Sequence, residues 1–83
     1  MYKIRLSSEA KRQFKELKIG HKDAVSFVIN DLRENPYIGK GLGRNLSGRY
    51  SYRIGLYRIV YKIIEKDGLV DILTIGHRSI VYN

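Results

Sequence analysis

Tyr57-Arg58-Ile59-Val60-Tyr61-Lys62-Ile63-Ile64-Glu65-Lys66-Asp67-Gly68-Leu69-Val70-Asp71-Ile72-Leu73-Thr74-Ile75 is the stretch that decides the fold. Two runs rich in β-branched and aromatic residues, 57–64 and 70–75, flank Asp67-Gly68, a pair with strong turn character. The pattern is that of a β-hairpin, and its loop length sets which side chains share a face. A two-residue loop, Asp67-Gly68, pairs Arg58 with His77. A three-residue loop, Lys66-Asp67-Gly68 with Gly68 left-handed, pairs Arg58 with Gly76 instead. The second register gathers Arg58, Val60, Lys62, Thr74, Gly76 and Arg78 on one face. It leaves Tyr57, Ile59, Tyr61, Ile63, Leu73, Ile75 and His77 on the other. Because it separates a basic face from an apolar one, it is the register expected.

Working outward, residues 50–54 form another strand that Gly55 separates from the hairpin, with Ser51 and Arg53 alternating against Tyr50, Tyr52 and Ile54. If the strands pair in sequence order, Arg53, Arg58 and Arg78 line one basic concavity. The segment 36–48 is punctuated by Gly39, Gly41, Gly43 and Gly48 and reads as a loop. Its Gly39-x-Gly41 lacks the third glycine of a dinucleotide fingerprint, and no phosphate-loop lysine follows. Further upstream, Val25, Val28, Ile29 and Leu32 mark a helix that starts around 21–23 and ends at Asn35-Pro36. Ala10, Phe14 and Leu17 mark a shorter one, capped by Ser7 or Ser8 and expected to stop at a left-handed Gly20. So short a link makes the two helices an antiparallel hairpin. Tyr2-Lys3-Ile4-Arg5-Leu6 alternates as a strand. The order is β-α-α-β-β-β, an α+β domain over residues 1–83 with a helical hairpin packed on a largely antiparallel twisted sheet.

At 83 residues the chain has room for one modest core and no deep cofactor chamber. With no cysteine there is no disulfide scaffold, thiolate zinc site or cysteine nucleophile, and two distant histidines make a poor metal site. No cofactor or metal is expected. No apolar run approaches the roughly 18 residues of a spanning helix, and the amino terminus does not read as a signal peptide. A cytoplasmic location fits this usage. Sixteen Lys and Arg against eight Asp and Glu give a net charge of +8, and residues 40–62 hold six bases and no acid. Such a stripe points to a polyanion or an acidic protein. Lys40, Arg44, Arg49, Ser51 and Lys62 are its candidate RNA contacts.

Three converging arginines suit a phosphodiester. Guanidinium forks match phosphate oxygens, stay charged and stabilise the extra negative charge of a pentavalent transition state. Tyr82 has the chemistry to stack on a base or lend a hydroxyl. The same arginines also suit a merely solvated sheet face, and composition alone leaves both readings open. His77, with an ordinary pKa of about 6.5, is the candidate acid or base. The expected register puts it on the helix side, where a hydrogen-bonded structural histidine fits better. His21 opens a helix and reads as solvated or capping.

The run Leu46-Ser47-Gly48-Arg49-Tyr50-Ser51-Tyr52-Arg53-Ile54-Gly55-Leu56-Tyr57-Arg58-Ile59-Val60-Tyr61 resembles the central block of the RelE/ParE superfamily of toxins. Ile75-Gly76-His77-Arg78 with Val81-Tyr82 resembles its C-terminal block. The resemblance implies the RelE-like microbial ribonuclease fold and a toxin of a type II toxin–antitoxin pair. In the RelE branch it implies a ribosome-dependent mRNA endonuclease (an mRNA interferase, a hydrolase) acting in the ribosomal A site. The implied cleavage is metal-free: the 2′-hydroxyl attacks the adjacent phosphorus and the 5′-oxygen leaves. Arg58 and Arg78 match the family's motif arginines and would stabilise the phosphorane, with Arg53 beside them. Tyr82 matches the tyrosine that would orient the nucleotide. The chain departs from the pattern at Ser51 and Arg53, where RelE enzymes place two lysines, one a candidate general base. The implied partners are an acidic antitoxin, mRNA and the ribosome, with DNA contacted only through the antitoxin. The alternatives are a ParE-like inhibitor of DNA gyrase that cuts no RNA, and a toxin that binds RNA without cleaving it.

Overall fold

A computed structural model describes residues 1–43 and 48–77. The elements are β1 (Lys3–Leu6), α1 (Ser8–Glu16), α2 (Ile19–Glu34), a 3-10 turn (Pro36–Ile38), β2 (Lys40–Leu42), β3 (Arg49–Ile54), β4 (Tyr57–Ile64), a second 3-10 turn (Glu65–Asp67) and β5 (Leu69–His77). The sheet order is β1-β5-β4-β3-β2, antiparallel throughout except for β1 against β5. Both helices pack on one face of the sheet. Ala10 of α1, Val25, Val28 and Leu32 of α2, and Ile59, Tyr61, Val70, Ile72 and Ile75 of the sheet form the buried core. The α+β reading and the helical hairpin hold.

Local chemistry explains the boundaries. Ser7 caps α1 by accepting the Ala10 N–H at 3.0 Å, while its own hydroxyl donates to the Leu73 carbonyl at 2.8 Å. Leu17 then leaves helical geometry (φ −71°, ψ 148°) and Lys18 is the N-cap of α2. Gly20 is therefore not the left-handed cap expected of it: it lies in the first turn of α2. The helix break is made by two extended residues, so no positive φ is needed. Asn35 ends α2 before Pro36, and its side chain accepts the Tyr37 N–H at 3.1 Å.

Two further expectations are corrected. The segment 36–48 is not all loop, because Lys40–Leu42 forms an edge strand registered on β3, with Lys40 opposite Ser51 and Leu42 opposite Arg49. The pairing comes from β3, since Lys-Gly-Leu has no strand pattern of its own. The loop between β4 and β5 also holds four residues rather than three: Ile64 pairs with Leu69, and Gly68 takes the left-handed conformation at φ +58°. A bulge in β5 then shifts the register by one, so that Val60 faces Thr74 and Arg58 faces Gly76, as expected. Before the bulge Val70 and Ile72 point into the core, and Leu73 does not take the core-facing place assigned to it. The bulge is anchored by α1. Ser7 caps the Leu73 carbonyl, and the Gln13 carboxamide oxygen accepts from the Ile75 N–H at 2.7 Å and the Thr74 hydroxyl at 3.1 Å. This part of the β5 edge runs beyond the end of β1, and α1 satisfies it instead. Among the described residues no helix is long and apolar enough to cross a membrane.

Candidate nucleic-acid interface

The face of the sheet turned away from the helices is where strand register assembles the cations. Alternation in β3 leaves Arg49, Ser51 and Arg53 on it, and alternation in β4 leaves Arg58, Val60 and Lys62. Cross-strand pairing sets Arg53 directly against Arg58 and Arg49 directly against Lys62. Like charges facing each other across a ladder cost stability. Two such pairs on one face are the reverse of what a sheet selected only for stability would carry. Between them lie Ser51 and Val60, only 5% and 8% exposed although they belong to the open face.

A groove of about 700 Å³ runs over this surface. Arg53, Arg58 and Ser51 line one side of it, and Ile38, Lys40 and Leu42 the other. No carboxylate lies among the described residues of its lining. The nearest acid in the ladder, Asp71, faces Lys62 and is engaged by Arg5 at 3.1 Å. The hydrogen bond to Asp71 and its charge push the Arg5 pKa up. Arg53, Arg58 and Lys40 give the groove lining its positive charge. With apolar Ile38 and Leu42 opposite the guanidinium groups, it offers one wall to phosphate oxygens and one to the flat face of a base. Among the described residues no three His, Asp or Glu side chains gather as a metal site would require.

The sequence-expected residues fall into three groups. Arg53, Arg58, Ser51 and Lys40 come together in the groove, and Arg49 and Lys62 lie one ladder row away on the same face. His77 lies on the other face. It is paired with Tyr57, with ring centroids 6.1 Å apart, and the ring of His21 packs 4.7 Å from that of Tyr57. The helix-side placement of His77 is thus as expected, and His21, in the first turn of α2, is solvent-exposed as expected while its ring also packs against Tyr57. Arg44, Arg78 and Tyr82 lie outside the described residues.

Two features of the groove escaped sequence reading. Ile38 and Leu42 enter it only because β2 folds onto β3. For the same reason Lys40 stands directly across from Ser51, the position where the sequence lacks a lysine. The six bases between 40 and 62 signalled the cations, but nothing local signalled the strand that delivers Lys40.

A family model described as the ParE toxin of the type II toxin–antitoxin system parDE matches residues 4–82. Toxin RelG of Mycobacterium tuberculosis is 36% identical over 83 residues, covering 98% of this chain and 95% of that one. Toxin RelE of the same organism is 42% identical over 59 residues, 70% of this chain and 61% of its own length. In the crystal structure of the toxin–antitoxin complex RelBE2 from Mycobacterium tuberculosis, one chain superposes with a TM-score of 0.83 at 37% identity. That superposition covers 93% of this chain and 98% of the other. The isolated E. coli RelE toxin has the same fold, with a TM-score of 0.83 at 23% identity over 99% and 92% of the two chains. By sequence along almost its whole length, and by its two helices on a five-stranded sheet, the chain belongs to the RelE/ParE family of toxins from type II toxin–antitoxin systems.

Proposed function

We propose that this toxin is a ribosome-dependent mRNA endonuclease whose basic groove grips the scissile phosphodiester. The observation that carries the reading is Arg53 set against Arg58 in a groove whose described lining has no carboxylate. In the proposed step the 2′-hydroxyl gives its proton to solvent as its oxygen bonds to the adjacent phosphorus, and the 5′-oxygen leaves with the electron pair of the broken bond and takes up a proton from solvent. The products are a 2′,3′-cyclic phosphate and a 5′-hydroxyl end. Arg58 and Arg78 stabilise the phosphorane, Arg53 holds the neighbouring phosphate, and Tyr82 orients the nucleotide. Arg49 and Lys62 extend the basic track along the ladder, and Arg44 is a further proposed RNA contact. Lys40 reaches the neighbourhood of Ser51 from β2 and brings back an ammonium that β3 itself does not carry. An acidic antitoxin is the proposed protein partner, with DNA contacted only through it. The chain's +8 charge and the toxin–antitoxin complex of its 37% identical neighbour support this.

The test is cleavage of a defined mRNA by purified toxin, with and without programmed ribosomes, beside Arg58→Ala and Arg78→Ala. Cuts in the A-site codon that need the ribosome and are lost in both variants support the nuclease. Growth arrest by a toxin that makes no cut defeats it. A second reading, inhibition of DNA gyrase, is favoured by one observation, the ParE description of the matching family model. Loss of supercoiling activity when purified gyrase is mixed with the toxin, with mRNA left intact, would establish it.

A further inference from the structure

Ile38 and Gly39 line the groove, and the segment 36–39 to which they belong is tied down more heavily than a surface connection requires. Tyr61, fully buried in β4, donates its hydroxyl to the Pro36 carbonyl at 2.7 Å and accepts the Gly39 N–H at 3.1 Å. From outside, the Tyr37 hydroxyl donates to Glu65, which also accepts from the Tyr2 hydroxyl at 2.9 Å. The ring of Tyr50 sits between those of Tyr37 and Tyr61, with centroids 5.7 Å from each. At Gly39 an added Cβ would stand 2.2 Å from the Tyr61 hydroxyl oxygen and 2.8 Å from the Ser51 carbonyl oxygen. The backbone there is pressed against both β3 and β4, and the next residue is Lys40, paired with Ser51.

A phenylalanine at position 61 would fill the same core volume but leave the Pro36 carbonyl and the Gly39 N–H without this partner. A buried hydroxyl making good hydrogen bonds returns only about 1 kcal/mol net for each. What it adds beyond that is one defined arrangement of the groups it joins. We propose that Tyr61 is a positioning residue of the basic groove: through Gly39 it fixes the backbone from which Lys40 presents its ammonium beside Arg53 and Arg58. The proposal rests on the reading of this groove as an RNA-binding surface. It adds a core residue that never touches the ligand yet sets how many cations meet it.

The test is binding of a fluorescein-labelled single-stranded 12-nucleotide RNA, followed by anisotropy over a range of KCl concentrations. The proteins compared are the wild type, Arg53→Ala, Lys40→Ala, Tyr61→Phe and the Lys40→Ala/Tyr61→Phe double variant. Tyr61→Phe is expected to keep a cooperative fold and bind about 3- to 5-fold more weakly. Its plot of log K against log salt should flatten by about 0.7, one phosphate contact on a single strand. In the Lys40→Ala background the same change should have no further effect, which a general loosening of the core would not reproduce. Gly39→Ala displaces the same backbone with the hydroxyl retained and should give the same flattening, so the proposal remains open to test if either variant fails to fold. Unchanged affinity and slope in Tyr61→Phe, while Arg53→Ala is weakened, overturns the positioning role alone. An equal loss with and without Lys40 overturns it too. Wild-type protein that does not bind, or binding indifferent to Arg53→Ala, removes the groove reading and the positioning role together.

Discussion

Arg53→Thr should make the protein more stable and a weaker binder of RNA. Arg53 and Arg58 occupy directly opposed positions on β3 and β4, which places their Cβ atoms about 5 Å apart. If the guanidinium groups splay to about 7 Å, their repulsion is about 0.6 kcal/mol at the dielectric constant of water and about 2.4 kcal/mol at an effective value of 20. Arg53 is exposed, so the lower end applies. Threonine adds a few tenths of a kcal/mol of strand preference. The sum is a gain of about 0.5–1 kcal/mol at low salt, or about 2–8 °C in Tm for a domain of this size. At 1 M salt, where screening acts over about 3 Å, only the strand-preference part should survive. Urea unfolding at 20 mM and 1 M KCl, with RNA anisotropy alongside, measures both quantities. The reasoning is refuted if the variant loses more than about 1 kcal/mol at low salt, or if its gain does not depend on salt. The first result would mean that Arg53 is held by net attraction, and the second that the gain is strand preference rather than relief of repulsion.

Ser7→Ala removes both the cap on α1 and the hydrogen bond to the bulged Leu73 carbonyl; chemical denaturation should show a loss of about 1–3 kcal/mol. Two glycines should respond in opposite directions. Gly20→Ala lies within α2 with open space around the new methyl and should gain a few tenths of a kcal/mol, whereas Gly68→Ala must hold φ +58° and should lose about 1 kcal/mol, both read from urea midpoints. Glu65 is held below the usual carboxylate range by the Tyr37 and Tyr2 hydroxyls. A depressed carboxyl pKa contributes stability that is present above its unfolded value and lost as pH falls through the folded one. The stability difference between wild type and Glu65→Gln should therefore shrink as unfolding is measured from pH 7 down to pH 3, and a difference that grew on acidification would reverse the assignment.

The hairpin at 57–75 was legible because loop chemistry and side-chain alternation agree there, and together they separate an apolar face from a basic one. The Arg58–Gly76 pairing was reached by an incomplete route, however. A four-residue loop and one bulged residue reach the same far register as a three-residue loop without a bulge, so the pairing alone cannot distinguish them. The difference shows only near the turn, where Val70 and Ile72 rather than Leu73 enter the core. What stabilises the bulge is distant in sequence: Ser7 and Gln13 belong to the other end of the chain, and no local pattern announces them. The edge strand Lys40–Leu42 escaped for a related reason. Two glycines flank its start and centre, so it has no alternating side chains, and its strand character comes from β3 and from Tyr61 beneath it.

One face of the sheet carries the core and the other carries the basic groove, and the two obey opposite rules. On the helix side lie the apolar core residues and Tyr61, whose buried hydroxyl makes two hydrogen bonds. On the open side cations face cations in two ladder rows, and Asp71, which faces Lys62, is engaged by Arg5. On the proposed reading, a ligand bearing regularly spaced negative charge laid along this face offsets the repulsion between Arg53 and Arg58. Its binding energy therefore includes the relief of strain already present in the free protein. Since anything that binds the folded state alone stabilises it, RNA at 100 times its Kd should add about 2.7 kcal/mol to the unfolding free energy. Binding to Arg53→Thr, which has less repulsion to relieve and one fewer cation, should add less at the same RNA concentration. Thermal unfolding of the two proteins with and without the 12-nucleotide RNA measures that difference, and equal shifts would place the binding surface elsewhere than on the open face.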